Sequence, residues 1–162
     1  MEVVVENEQA MEHLGGCIAD SCQNGSLIFL SGDLGAGKTT LVRGLLRRFG
    51  YQGNVKSPTY TIVETYDISN RRIYHLDLYR LHDPEELEYL GVREFSGDKV
   101  ICLIEWPEQG AEVMLTPDLV VQIGYEGKGR RVKIQKKTSV GVEMVDLLSN
   151  MLPMDGVGAE KR

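Results

Sequence analysis

The chain has 162 residues, 42% of them hydrophobic, which suits one domain whose core is large enough to fold without disulfide or metal staples. Eighteen basic against 24 acidic residues leave a net charge of −6, which argues against autonomous tight binding to nucleic acid. Cys17, Cys22 and Cys102 include no C-x-x-C pair, no apolar run approaches about 18 residues, and Met1–Glu6 has no basic start. These features argue against a disulfide framework, a membrane span and a signal peptide, so a soluble cytoplasmic protein is expected, with residues 1–152 as one domain and 153–162 as a flexible tail.

Asn7 is placed to cap a first predicted helix from Glu8 to Ser21, with Ala10, Leu14, Cys17 and Ile18 on one face. Leu27–Leu30 reads as a buried strand and runs into Ser31–Thr40. There Gly32, Gly37, Lys38 and Thr39 fill every fixed position of the phosphate-binding pattern G-x-x-x-x-G-K-[ST], and Asp33, Leu34, Gly35, Ala36 and Thr40 complete the loop. Glycines at 32, 35 and 37 allow left-handed backbone that turns N–H groups toward phosphate oxygens. Lys38 has the reach for the β- and γ-phosphates, and the Thr39 hydroxyl can take one corner of a Mg²⁺ octahedron. Leu41, Val42, Leu45 and Leu46 continue with helical spacing to Phe49, so strand, loop and helix occur in the order the motif requires. A bound nucleoside triphosphate is expected. The guanine signature N-K-x-D is missing and D-x-x-G occurs only at Asp155–Gly158, which favours adenine.

Gly50 and Gly53 open a loop containing Ser57, Pro58, Thr59 and Thr61. Its hydroxyls lie where a γ-phosphate switch would be, although by composition alone the stretch reads as an ordinary loop. Thr61–Tyr66 and Ile73–Leu78 are strand-like. The turn Ser69–Arg71 leaves no room for a crossover, so they pair antiparallel. Tyr74, Leu76 and Leu78 alternate to one face, which leaves His75, Asp77 and Tyr79 on the other, either solvated or part of a site. His13 and His82 give His75 no metal-ligand spacing. Asp83-Pro84-Glu85-Glu86 has the composition of a helix start. Val100–Ile104 reads as a central strand, and Glu105 at its end is the first candidate acid for Mg²⁺, with Asp77 the second. Trp106, the only tryptophan, reads as a buried anchor. Leu119–Tyr125 and Arg130–Lys136 form a hairpin about Gly127–Gly129, and Val140–Met151 is a last helix. The sum is an α/β fold, a P-loop NTPase-like three-layer sandwich with a mixed, partly antiparallel sheet.

Five segments together resemble the bacterial TsaE (YjeE) ATPase family in order and spacing: Gly32–Thr40, Val55–Thr61, His75–Arg80, Asp83–Leu87 and Ile104–Pro107. The likeness spans residues 7 to 136. Very many proteins share the loop, whereas the Ser-Pro-Thr-Tyr, His-x-Asp-x-Tyr-Arg and Glu-Trp-Pro set is far more specific. The resemblance implies ATP and Mg²⁺ as cofactors, with Lys38, Asp77 and Glu105 in catalysis. Thr39 and Glu105 would sit on the metal, and Asp77 near the γ-phosphate. It aligns Glu8 with a region near the nucleoside and Arg130 with a basic position near the nucleotide, although by sequence each is equally an exposed charge. It further implies a part in forming threonylcarbamoyladenosine at position 37 of tRNAs that read codons beginning with A. In that role the protein supports a TsaB–TsaD transferase pair and meets tRNA only through it. Two other readings stay open from the residues themselves, a small-molecule kinase and a non-hydrolysing nucleotide-dependent adaptor. The kinase lacks well-placed lid arginines, since Arg47 and Arg48 end a helix and Arg71 and Arg72 lie in a hairpin.

Overall fold

The computed structural model describes residues 1–111 and 115–153. Strands β1 (Glu2–Val5), β2 (Ser26–Ser31), β3 (Val63–Ile68), β4 (Arg71–Asp77), β5 (Val100–Glu105), β6 (Leu119–Glu126) and β7 (Gly129–Lys136) form one sheet. Its order is β1-β7-β6-β2-β5-β4-β3. The central strands β6, β2, β5 and β4 run parallel, while β3 on β4, β7 on β6 and β1 on β7 are antiparallel. Helices α1 (Glu8–Ser21), α2 (Lys38–Arg48) and α4 (Ser139–Met151) pack on one face. The short α3 (Glu86–Tyr89) and a 3₁₀ turn at Val92–Phe95 cover part of the other, so the expected three-layer α/β sandwich has one thin outer layer. Among the described residues no helix is long and apolar enough to cross a membrane.

Local chemistry accounts for most element ends. Asn7 Oδ1 accepts from Ala10 N at 2.8 Å to cap α1, and Thr138 Oγ1 accepts from Gly141 N at 3.1 Å to cap α4. Ser69 and Asn70 both take positive φ, the geometry of a two-residue hairpin turn, so Arg71 is the first residue of β4 rather than part of the turn. Asp83 does accept from Glu85 N at 2.9 Å, yet the helix it was expected to start is a single turn that buries only Leu87. Left-handed Gly91 follows it and redirects the chain into the 3₁₀ turn. Strand β1 was not expected at all. Four residues cannot specify a strand by themselves, and β1 exists because it pairs with β7 and buries Val3 and Val5. Residues 154–162 of the expected tail lie outside the described residues.

Side-chain alternation then decides what faces what. On β5, Ile101 and Leu103 join the core beneath α1 and α2, while Cys102 and Ile104 join the opposite one. On β4, Ile73 points to the α1/α2 side and Tyr74 and Leu76 away from it. Continuing both series by twos puts His75, Asp77 and Glu105 on the face that α2 covers. Helix α2 lies close to α1 through paired glycines. A Cβ at Gly44 would stand 2.0 Å from Glu12 O, and one at Gly15 would stand 2.1 Å from Leu41 O. Both obstacles are backbone, so neither yields cheaply. We expect Gly44→Ala to destabilise the fold by about 1–3 kcal/mol despite a helix-propensity gain of about 1 kcal/mol. Gly16→Ala, whose nearest neighbour would be Arg48 Cβ at 3.8 Å, is expected to be neutral or stabilising. Urea unfolding midpoints of the two variants check the contrast.

Candidate functional site

Between β2 and α2 the chain turns through Gly32–Gly37. Gly35 and Gly37 have φ of +78° and +115°, a region costly to any L side chain, and Gly37 is the N-cap of α2. No side chain caps this helix, in contrast to α1 and α4, and its first turn carries no acid. The N–H groups and positive dipole end of α2 are thus left for an anion. The loop's carbonyls are held by side chains from the far hairpin. Arg130 donates through Nε to Ala36 O at 2.9 Å and through a terminal nitrogen to Gly35 O at 3.3 Å, and Tyr125 donates to Leu34 O at 3.1 Å. With its carbonyls so engaged, the loop can present N–H groups elsewhere.

Lys38, Asp77 and Glu105 are only 5%, 3% and 2% exposed. The Lys38 ammonium donates to Gly32 O and Asp33 O and lies 4.5 Å from the centre of the Trp106 ring. Burial lowers its pKa from the ordinary lysine value, with the Glu105 and Asp77 carboxylates opposing. Asp77 and Glu105 are register partners on β4 and β5. Thr39 Oγ1 donates to Glu105 Oε1 at 3.2 Å. Asp77 Oδ2 accepts from Ser57 at 2.7 Å and Thr59 at 3.1 Å, and its Oδ1 accepts from Tyr79 N at 2.9 Å. Thr61 does not join them; its hydroxyl donates to Glu64 at 3.1 Å. The segment ends at Ile62, whose φ of +67° is an outlier for a β-branched residue and marks a strained, over-determined loop.

The polar face of β4 is not solvated. His75 is fully buried, and its Nε2 lies 2.9 Å from Glu105 Oε1, a contact that sequence reading missed. The signal was available in the shared parity of His75, Asp77 and Glu105, but only the β4–β5 register brings them together. Tyr79 beyond the strand end is exposed and packs on Trp106 with ring centres 5.0 Å apart. Trp106 is half-covered rather than buried, and its φ of +56° turns the chain sharply after β5.

Two cavities flank the loop. One, of about 270 Å³, is lined by Leu34–Thr40 with Ser57, Thr59, Asp77, Glu105 and Trp106. The other, of about 350 Å³, is lined by Gly35–Gly37, Thr40 and Arg130 together with Glu8 and the neighbouring Val5–Asn7. Glu8 is not a free charge, since it receives the Arg43 guanidinium at 3.0 Å. Among the described residues no three His, Cys, Asp or Glu side chains form a metal cluster. A hydroxyl and a carboxylate at 3.2 Å suit an ion such as Mg²⁺, which keeps waters and takes phosphate oxygens to fill its shell. The three cysteines are free and buried, and burial pushes the Cys22 thiol up to about 11 and Cys102 higher still, which leaves both unreactive.

The family described as "Threonylcarbamoyl adenosine biosynthesis protein TsaE" matches residues 5–134. This chain belongs to the TsaE family. It is 50% identical over 124 residues to the "tRNA threonylcarbamoyladenosine biosynthesis protein TsaE" of Haemophilus influenzae, covering 76% of this chain and 78% of that one. The protein of the same name from Rickettsia felis is 41% identical over 119 residues, 73% and 68% of the two chains. Among solved structures, Bacillus subtilis YdiB superimposes with a TM-score of 0.79 over 93% of this chain and 95% of that one, at 24% identity, which bears on the fold alone.

The hydrogen bonds at Asp77 carry a direct expectation. Bonds to a charged group contribute about 1.5–3 kcal/mol each. Asp77→Ala therefore raises amide exchange at Tyr79 by about tenfold or more and increases protease cutting in 57–62, with β5 unaffected. Hydrogen-exchange mass spectrometry of the two proteins checks this.

Proposed function

We propose that this protein is an ATPase that takes ATP with Mg²⁺ and serves threonylcarbamoyladenosine formation at tRNA position 37. The observation that carries the reading is the convergence on one cavity of an uncapped helix N-terminus, Lys38, the Thr39–Glu105 pair and Asp77. The two cavities share Gly35–Gly37 and Thr40, so one elongated ligand can straddle the loop, with phosphates beside Lys38 and the nucleoside beside Glu8 and Arg130. The relatives' names supply the pathway.

In this reading the α2 N–H groups and Lys38 neutralise phosphate charge, and Arg130 holds the loop in its receptive shape. Thr39 and Glu105 hold the metal, which when bound spreads the charge of the β- and γ-phosphates. Asp77 orders the Ser57–Thr59 segment and orients groups at the γ-phosphate. Among the described residues the cavity holding Lys38 is lined by no arginine. Transition-state charge then lacks part of its cationic complement, so hydrolysis by the chain alone is slow. A TsaB–TsaD pair is the partner that completes the site or fixes the 57–61 loop, and tRNA is engaged only through it.

The expected outcomes distinguish the residues. Lys38→Ala weakens ATP binding by about tenfold or more and Glu105→Ala removes its Mg²⁺ dependence, whereas Asp77→Ala still binds nucleotide and loses turnover. Calorimetry and phosphate release measure these. Adding TsaB–TsaD raises the ATPase rate severalfold, and the chain comigrates with the pair preferentially when ATP is bound. Fast hydrolysis by the isolated chain, unchanged by the pair and without comigration, would defeat the partner mechanism.

A further inference from the structure

His75 lies within β4 with no exposed surface, and its neighbours Tyr74 and Leu76 face the opposite core. Its Nε2 is 2.9 Å from Glu105 Oε1, and among the described residues its Nδ1 has no hydrogen-bond partner. A buried imidazole with one orphaned nitrogen is a poorer core residue than leucine, so packing does not account for a histidine here. The two nitrogens are inequivalent. Glu105 Oε1 also receives the Thr39 hydroxyl at 3.2 Å, so it acts as acceptor toward both neighbours. That assigns a ring proton to Nε2, the donor that the carboxylate oxygen requires. The other tautomer would aim a lone pair at the carboxylate and bury an unsatisfied N–H.

Two donors from two elements, β4 and α2, therefore grip one oxygen of Glu105. Its second oxygen, Oε2, has no hydrogen bond among the described residues. We propose that His75 is a positioning residue of the metal site, whose Nε2–H locks the Glu105 carboxylate so that Oε2 is the oxygen offered to Mg²⁺. The proposal rests on the Mg²⁺–ATP reading above and deepens it. Thr39 donates its proton to Glu105 and keeps its lone pairs for the same ion. Asp77, on the same face of β4, is engaged differently, accepting from Ser57 and Thr59 at one oxygen and from the Tyr79 amide at the other. Hydrogen bonds that orient a ligating group typically change metal affinity by about 10–100-fold.

Two substitutions separate the donor from the bulk. His75→Gln keeps an N–H at nearly the reach of Nε2, and His75→Leu keeps the volume and removes it. Binding of a non-hydrolysable ATP analogue is titrated by calorimetry without metal and across Mg²⁺ concentrations, with Mn²⁺ uptake followed by electron paramagnetic resonance. In His75→Leu, metal-free analogue affinity stays within about twofold while half-saturating Mg²⁺ rises about tenfold or more, and His75→Gln stays within about threefold of the parent. Nitrogen NMR of the ligand-free parent protein finds the His75 proton on Nε2, and needs no variant if His75→Leu fails to fold. An Nε2 without a proton overturns the positioning role and leaves the nucleotide site standing. So does an unchanged Mg²⁺ requirement in His75→Leu alongside a raised one in Glu105→Ala. If Glu105→Ala is also unchanged, the metal assignment itself is wrong and the role of His75 falls with it.

Discussion

One ammonium and two carboxylates are buried together where α2 begins and β4 and β5 end. Such charges are costly away from water unless each is paired and hydrogen-bonded. Here Lys38 faces Asp77 and Glu105, and the acids accept hydrogen bonds from Thr39, His75, Ser57 and Thr59 on other segments and from the nearby Tyr79 amide. That requirement constrains much of the molecule. The parallel β4–β5 register must set Asp77 beside Glu105, and the glycine contacts between α1 and α2 must hold the helix close enough for its first turn to meet them.

The antiparallel margins of the sheet have matching duties on the two sides of the loop. The β6–β7 hairpin brings Tyr125 and Arg130 onto its carbonyls, with Arg130 also 4.2 Å over the Tyr125 ring. The β3–β4 hairpin ends in Asp77 and, through it, ties down Ser57 and Thr59. Backbone strain is placed accordingly. Ile62 closes the 57–62 segment and Trp106 follows Glu105, both with left-handed φ, at the two points where the chain enters and leaves this cluster. Strain of this kind persists where surrounding contacts over-determine the conformation, and it concentrates at functional sites.

Much of this was legible in the residues. The loop pattern, the cap at Asn7, the hairpins and the apolar run ending in Glu105 are each written within a few positions. The misreadings share a cause. Strand β1, the one-turn helix after Asp83, the missed contact of His75 with Glu105 and the divergence of Thr61 toward Glu64 all depend on what another segment supplies, not on local pattern.

The sequence by itself determined the strand–loop–helix unit, the identity of its cationic and hydroxyl residues, the candidate acids and the family, because these are encoded in short spacings and in backbone preferences of glycine. Only the tertiary structure decided which of them meet. Arg130 reaches the loop across 94 residues and His75 reaches Glu105 across 30. The alternation of a strand says which residues share a face, but not what lies across from that face. Strand order and register decide it, and they follow from burying the whole sheet at once.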